Sequence, residues 1–298
     1  MSLPSPSPPR RATHTSRQTA LSDRVLLSGL LWLTAAVYLA PLLIMLTGSF
    51  RSADAVLDPG AGVLPRLDDA AQAVDNYREV WTSAAADFPT YIRNSLMVAM
   101  LSTIGLTLSS AAAAYAFARM RWRGRDALFV LVLATLMIPP TVIIAPQYLL
   151  FKHLGWIGTF APLWVPAWFG SAFSIFLLRQ FFLTIPRELD EAAAIDGCSS
   201  LGIFWRVILP VARPALVVVA LLAFIGSWND FAGPLIFINQ PHMYTVSLGV
   251  YMFQSQHGQT PWNLSLAASV IAVVPVLAVF LLAQKAIIEG VATQGLKE

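Results

Sequence analysis

The sequence predicts an all-α integral membrane protein with six transmembrane helices, and two observations carry that expectation. Of 298 residues, 57% are hydrophobic and only 12% are charged, with a mean hydropathy of +0.66, whereas soluble domains carry roughly a quarter charged residues. Six apolar runs are each long enough to cross a hydrocarbon core of roughly 30 Å. They are continuous rather than alternating, so each satisfies its backbone hydrogen bonds as a helix and not as a barrel strand.

The expected spans are Val25–Leu46, Ser95–Phe117, Ala127–Leu150, Gly158–Phe182, Ala215–Ile238 and Leu264–Ala286. Residues 1–24 are rich in Ser, Pro and Arg without apolar periodicity, and read as a disordered cytoplasmic tail. Residues 25–298 form the membrane domain. The first run is too long for a signal-peptide core and lacks a small-residue cleavage site, so it is expected to stay as an anchor.

Between the first two spans, Ser52 to Ile92 is the longest loop and is dotted with acidic residues. Asp75 is expected to cap a short helix carrying Tyr77, Val80 and Trp81, and Asp87 another carrying Tyr91 and Ile92. The second span is dense in small residues from Ser109 to Ala114, which favours close packing with a second membrane subunit. Prolines 139, 140, 146, 162, 166, 234 and 275 bend the later spans, each removing a helix donor.

Arginines and lysines set the orientation. Arg10, Arg11, Arg17 and Arg24 precede the first span; Arg119, Arg121, Arg123 and Arg125 follow the second; Arg187, Arg206 and Arg213 follow the fourth; and Lys285 and Lys297 lie at the end. Six crossings put all of them on one side, so both termini are expected in the cytoplasm. The net charge of +3 reflects this topology, and no basic run interleaved with aromatics suggests nucleic acid.

The connection after the fourth span holds a polar island, Arg187-Glu-Leu-Asp-Glu-Ala-Ala-Ala-Ile-Asp-Gly197, followed by Val207-Ile-Leu-Pro210. Pro186 is placed as its first helical residue, with Glu188, Asp190 and Glu191 at the positive end of the helix dipole. Leu189, Ala192 and Ala193 make a low-profile apolar face, and Gly197 stops the helix. A second short helix from about Ser199 to Val207 completes an elbow with a thin alanine edge, a shape suited to a cleft in a soluble partner. Alanine in place of bulky anchors argues against an ordinary helix lying on the bilayer.

Asp230 is the one carboxylate expected inside a span, and burying an ionised acid is costly enough that it should face water or a partner. Trp228, Asn229 and Asp230 are therefore candidates for a translocation path, against the alternative of a hydrogen-bonded packing knot, which weighs more heavily. The four histidines lack metal-ligand spacing, and the lone Cys198 permits no internal disulfide. No Gly-x-x-x-x-Gly-Lys-Ser/Thr loop is present, so the chain cannot hydrolyse ATP by that route.

The island resembles the EAA signature of bacterial ABC importer permeases, matched here by Glu191, Ala192, Ala193, Gly197, Val207, Leu209 and Pro210, with Val in place of Ile the departure. The likeness extends along most of the chain and narrows to the carbohydrate-type permeases of the maltose and glycerol-3-phosphate kind. It includes Asn76-Tyr77, Asn94-Ser95-Leu96, Ile138-Pro139, Phe176 to Gln180, Trp228-Asn229-Asp230 and a tail with Gly290, Gly295 and Lys297.

This resemblance implies a non-catalytic permease subunit in the inner membrane of a bacterium, importing a sugar or sugar-like solute. Its implied partners are a second homologous permease, two ATPase subunits that carry ATP and Mg, and an extracytoplasmic substrate-binding protein, with no cofactor on this chain. Glu188, Glu191, Ala192, Ala193, Asp196, Gly197, Leu209 and Pro210 are the implied ATPase-coupling residues. The alternatives are a permease for glycerol-3-phosphate or another non-sugar solute, and an ion-coupled secondary transporter, which would need ion-coupling residues within its spans.

Overall fold

The computed structural model describes residues 15–58, 60, 62, 69–83, 86–254 and 260–295, and among these every regular element is helical. In chain order the helices are α1 (Thr15–Gly48), α2 (Ala53–Leu57), α3 (Asp69–Thr82), α4 (Phe88–Arg119), α5 (Arg125–Ala134), α6 (Pro140–His153), α7 (Ala161–Trp164) and α8 (Ala172–Thr184). Then come α9 (Glu188–Ile195), α10 (Ser200–Ile203), α11 (Leu209–Val211), α12 (Arg213–Trp228), α13 (Ala232–Phe237), α14 (Val246–Gln254) and α15 (Trp262–Gly295).

Four stretches are long and apolar enough to span a membrane unbroken: Arg24–Gly48, Phe88–Arg119, Ala161–Thr184 and Trp262–Ala286. The third expected span is broken instead. Arg125–Met137 and Pro140–His153 meet at 100°, because Pro139 and Pro140 both lack a donor and push the residue before them out of the helical region. Ile138 is accordingly extended, with ψ 116.

The fifth span also differs from expectation. α12 ends at Trp228 after 16 residues, a rise of about 24 Å, short of the roughly 30 Å needed. The chain breaks at Asn229 and resumes as α13, so the expected helix to Ile238 is two pieces. α14 fills part of the connection to the last span and was not anticipated.

Other boundaries shift for local reasons. α1 begins at Thr15, well before Val25, so residues 15–24 of the expected tail are helical; residues 1–14 of it lie outside the described residues. Asp75 lies inside α3, which starts at Asp69, so it caps nothing. Asp87 does cap, accepting from the Thr90 amide at 3.3 Å, but the helix it starts is the second span itself. At the other end α15 continues to Gly295, so Gly290 and Gly295, expected in a tail, belong to the last helix.

α4 is the hub. Of its small residues, Ser110, Ala111 and Ala114 are buried within this chain, where α4 packs on α8 and α12, while Ala112 is exposed. Gly105 is the tightest point: a Cβ there would stand 2.2 Å from the Trp168 ring. Towards the end that holds α9 and α10, one core gathers Tyr115, Phe117, Phe129, Leu178, Phe182, Phe204 and Ile208. Towards the other end, a second gathers Val80, Phe88, Tyr91, Phe224, Trp228 and Phe253.

Buried asparagines tie the second core together, because a polar group there is costly unless fully bonded. Asn76 donates to the carbonyls of Ser49 and Arg51 at 2.9 and 2.8 Å, and its oxygen accepts from Gln72 at 3.0 Å and from Asn263 at 2.8 Å. One side chain thereby joins the end of α1, α3 and the start of α15. Asn94 does the same for α4 and the segment before α14, donating to His242 and Tyr244 carbonyls, while the Ser95 hydroxyl accepts from the Val246 amide at 2.8 Å.

Candidate functional site: a two-helix elbow and a carboxylate at a helix break

The elbow is built from α9 to α11. α9 begins at Glu188 rather than at Pro186, which lies outside the helix; Arg187 serves as N-cap, and its carbonyl accepts from the amides of Asp190 and Glu191. At the other end Gly197 adopts φ +83. Its amide bonds the Ala194 carbonyl at 3.0 Å and that of Cys198 bonds Ala193 at 2.9 Å, a complete Schellman stop.

Ser199 then caps α10 by accepting from the Gly202 amide at 3.2 Å. The chain widens into a π-helical turn over Phe204–Ile208. Pro210 supplies the reason: it cannot donate to the Arg206 carbonyl, and its ring crowds that group. Ser200–Val211 lies at 81° to Arg213–Trp228, so the elbow runs nearly across the axis of the fifth span.

Two anchors hold the elbow from behind. The Arg119 guanidinium, 3% exposed at the end of α4, faces the Asp190 carboxylate at 3.4 Å and also donates to the Ile185 carbonyl at 2.7 Å. The Tyr115 hydroxyl donates to the Ser200 carbonyl at 3.0 Å, and its ring lies 5.2 Å from that of Phe204. Nearby, Arg179 lies 4.2 Å over the Phe129 ring and reaches the Phe117 carbonyl at 3.4 Å, linking α8, α5 and α4. Both elbow anchors thus belong to α4, which Arg179 ties in turn to α8 and α5.

The expected coupling residues divide. Glu188, Glu191, Ala192, Asp196, Gly197 and Pro210 are exposed. Ala193 is buried against the chain's own core and Leu209 is half-buried, so neither presents a side chain freely to a partner. The apolar edge is supplied by residues the sequence reading did not single out: Ile195 is 86% exposed, Leu201 66% and Trp205 52%. Local sequence does not show their exposure, which depends on how α9, α10 and the turn after them pack on the core. The Arg119–Asp190 pair is not legible locally, since its members are far apart in sequence.

At the other candidate site, the three residues part company. Trp228 is 2% exposed, its indole N–H donates to the Ala272 carbonyl at 3.0 Å, and its ring stacks on Phe224 at 5.7 Å. That is the packing knot. Asn229 is exposed.

Asp230 sits in the break between α12 and α13, where its carboxylate accepts from the Gly233 amide at 3.0 Å. A Cβ on Gly233 would meet that carboxylate at 2.3 Å and Leu163 at 3.1 Å, so glycine makes room for the acid. Asp230 lines two cavities that also share Leu163. One, of about 250 Å³, includes Gln147, Phe151 and Phe237; the other, of about 380 Å³, includes Ser102, Ser171, Ser174 and Ser227.

No group of His, Cys, Asp and Glu among the described residues could hold a metal; His14 and His257 lie outside them. Cys198 is a free thiol, half-buried.

Comparison with known proteins agrees with this architecture. The chain is 34% identical over 283 residues to the trehalose/maltose transport system permease protein MalG of Thermococcus litoralis, covering 94% of this chain and 99% of that one. It is 31% identical to the sn-glycerol-3-phosphate transport system permease protein UgpE of Salmonella typhi, over 91% of this chain and 95% of the relative. The fold matches a chain in the crystal structure of a bacterial ABC transporter involved in the import of the acidic polysaccharide alginate, with TM-score 0.76, 23% identity, and coverage of 92% and 98%. Residues 105–292, which include the elbow and both cavities' Asp230, match the family model for the binding-protein-dependent transport system inner membrane component, and the chain belongs to that family.

Proposed function

We propose that this chain is one of two membrane subunits of an ATP-driven importer for a sugar or sugar-like solute. The solute is handed over by an extracytoplasmic binding protein, and the energy comes from two ATPase subunits that hold ATP and Mg. This chain binds no cofactor and performs no catalysis itself. The relatives support the solute class through the trehalose/maltose permease, aligned over nearly the whole chain.

The observation that carries the mechanism is the elbow: it exposes Glu191, Ala192, Ile195, Leu201 and Trp205 and is anchored to α4 through Arg119 and Tyr115. A partner that grips the edge and moves on closing around ATP pulls on Arg119 and on the start of α12 together. The bent helices then exchange outward-open for inward-open arrangements, and ATP binding favours one of these only by its differential affinity for the two.

Glu191→Lys tests the reading. Glu191 is exposed, so its replacement leaves the cores untouched while inverting charge at the docking edge. In the assembled transporter in vesicles, maltose or maltotriose uptake and substrate-stimulated ATPase activity are both expected to be lost while the subunit still inserts. Survival of both refutes the docking role.

A further inference from the structure

The cavities on either side of Asp230 have a one-sided chemistry. Their polar lining is hydroxyl, amide and carboxylate: Ser102, Ser171, Ser174, Ser227, Gln147 and Asp230. Their remaining walls are aliphatic and aromatic, including Phe151, Phe173 and Phe237. Neither lining contains a lysine or an arginine.

An ionised carboxylate beside largely apolar walls acts over the whole of both cavities, because field lines are focused rather than screened. The Asp230 carboxylate is also held in place. The carboxylate is tethered to the Gly233 amide, and Gly233 cannot gain a side chain without displacing it. An acid kept at a helix break, common to two cavities and unmatched by any cation in their walls, has no part in the packing knot that Trp228 forms.

We propose that Asp230 makes this half of the path a charge filter, admitting uncharged polyhydroxylated solutes and rejecting anionic ones. Serine and glutamine groups exchange hydrogen bonds with sugar hydroxyls as water does, the aromatic walls meet the apolar ring faces, and a phosphate or carboxylate on the solute meets the Asp230 carboxylate with no lysine or arginine in the linings to offset it. Among the relatives are a permease for trehalose and maltose and one for glycerol-3-phosphate; the filter sides with the uncharged solutes. This inference rests on the importer reading, because it takes the two cavities as part of the path.

The test uses the assembled transporter in vesicles, with Cys198→Ser removing the native thiol and Ser227→Cys placing a reporter in the lining. Modification rates are measured with two methanethiosulfonate reagents of similar size, one cationic and one anionic. Asp230→Asn is then compared in the same background; asparagine keeps the capping hydrogen bond and removes the charge.

The cation-to-anion rate ratio is expected to fall about tenfold on that substitution, as one charge a few ångströms away acts with opposite sign on the two reagents. An unchanged ratio overturns the proposal. Ser171→Cys is the second reporter should Ser227→Cys fail to assemble, and a thiol that neither reagent reaches at both positions overturns it too, since the cavities would then lie off any water-filled path. The measurement needs no transport, so loss of uptake in Glu191→Lys and loss of charge selectivity here are separate outcomes.

Discussion

Replacing Asp190 by alanine removes the carboxylate that faces Arg119 across the joint between the elbow and the second span. At 3.4 Å two unit charges in an effective dielectric of about 20 attract by roughly 5 kcal/mol. Desolvation offsets most of that, and removing one partner of a fully buried pair costs about 3–5 kcal/mol because a charge is left stranded. Asp190 is 21% exposed while Arg119 is 3% exposed and keeps its bond to Ile185, so the cost falls to about 2 kcal/mol.

Since 1.4 kcal/mol is tenfold, local opening of α9 should become about 30-fold more frequent. Hydrogen exchange of the amides in α9, followed by mass spectrometry on the assembled transporter, reads this directly. Substrate-stimulated ATPase activity should drop in parallel. The companion Arg119→Met with Asp190→Leu should recover part of the loss, since no charge is then left unpaired. Exchange in α9 of Asp190→Ala within twofold of the parent refutes the argument that this pair anchors the elbow.

Asn76→Ala removes a side chain that makes four hydrogen bonds at the junction of α1, α3 and α15, and is expected to cost about 2–4 kcal/mol. Fluorescence-detected thermal unfolding in detergent reads the loss, and Asn76→Asp should rescue little because a carboxylate cannot donate to the Ser49 and Arg51 carbonyls. Gly105→Ala forces the Trp168 ring aside and strains its 3.1 Å bond to the Leu101 carbonyl. A cost of about 1–3 kcal/mol is expected in the same assay, and an unchanged midpoint contradicts the close approach.

Much of the fold is legible in one dimension because a membrane simplifies the problem: a long apolar run has few stable options other than a helix. α1, α4 and α15 lie where hydropathy puts them, and the cap at Asp87 and the stop at Gly197 follow from short-range hydrogen bonding that the local sequence specifies. The spans that depart from expectation are those where hydropathy and proline pull apart. Ala127 to Leu150 is apolar throughout, yet Pro139 and Pro140 fold it through 100°; apolar count cannot register an angle.

The functional surfaces divide in the same way. The order of residues alone marked the elbow, its glycine stop and its exposed acids, since these depend on neighbours a turn away. The tertiary structure turned Ala193 inward, brought Ile195, Leu201 and Trp205 outward, and joined Arg119 to Asp190. It also separated Trp228 from Asp230, one locked in a core and the other placed between two cavities. Each of those assignments depends on how one helix crosses another, and crossing angles are decided by side-chain packing between segments distant in the chain.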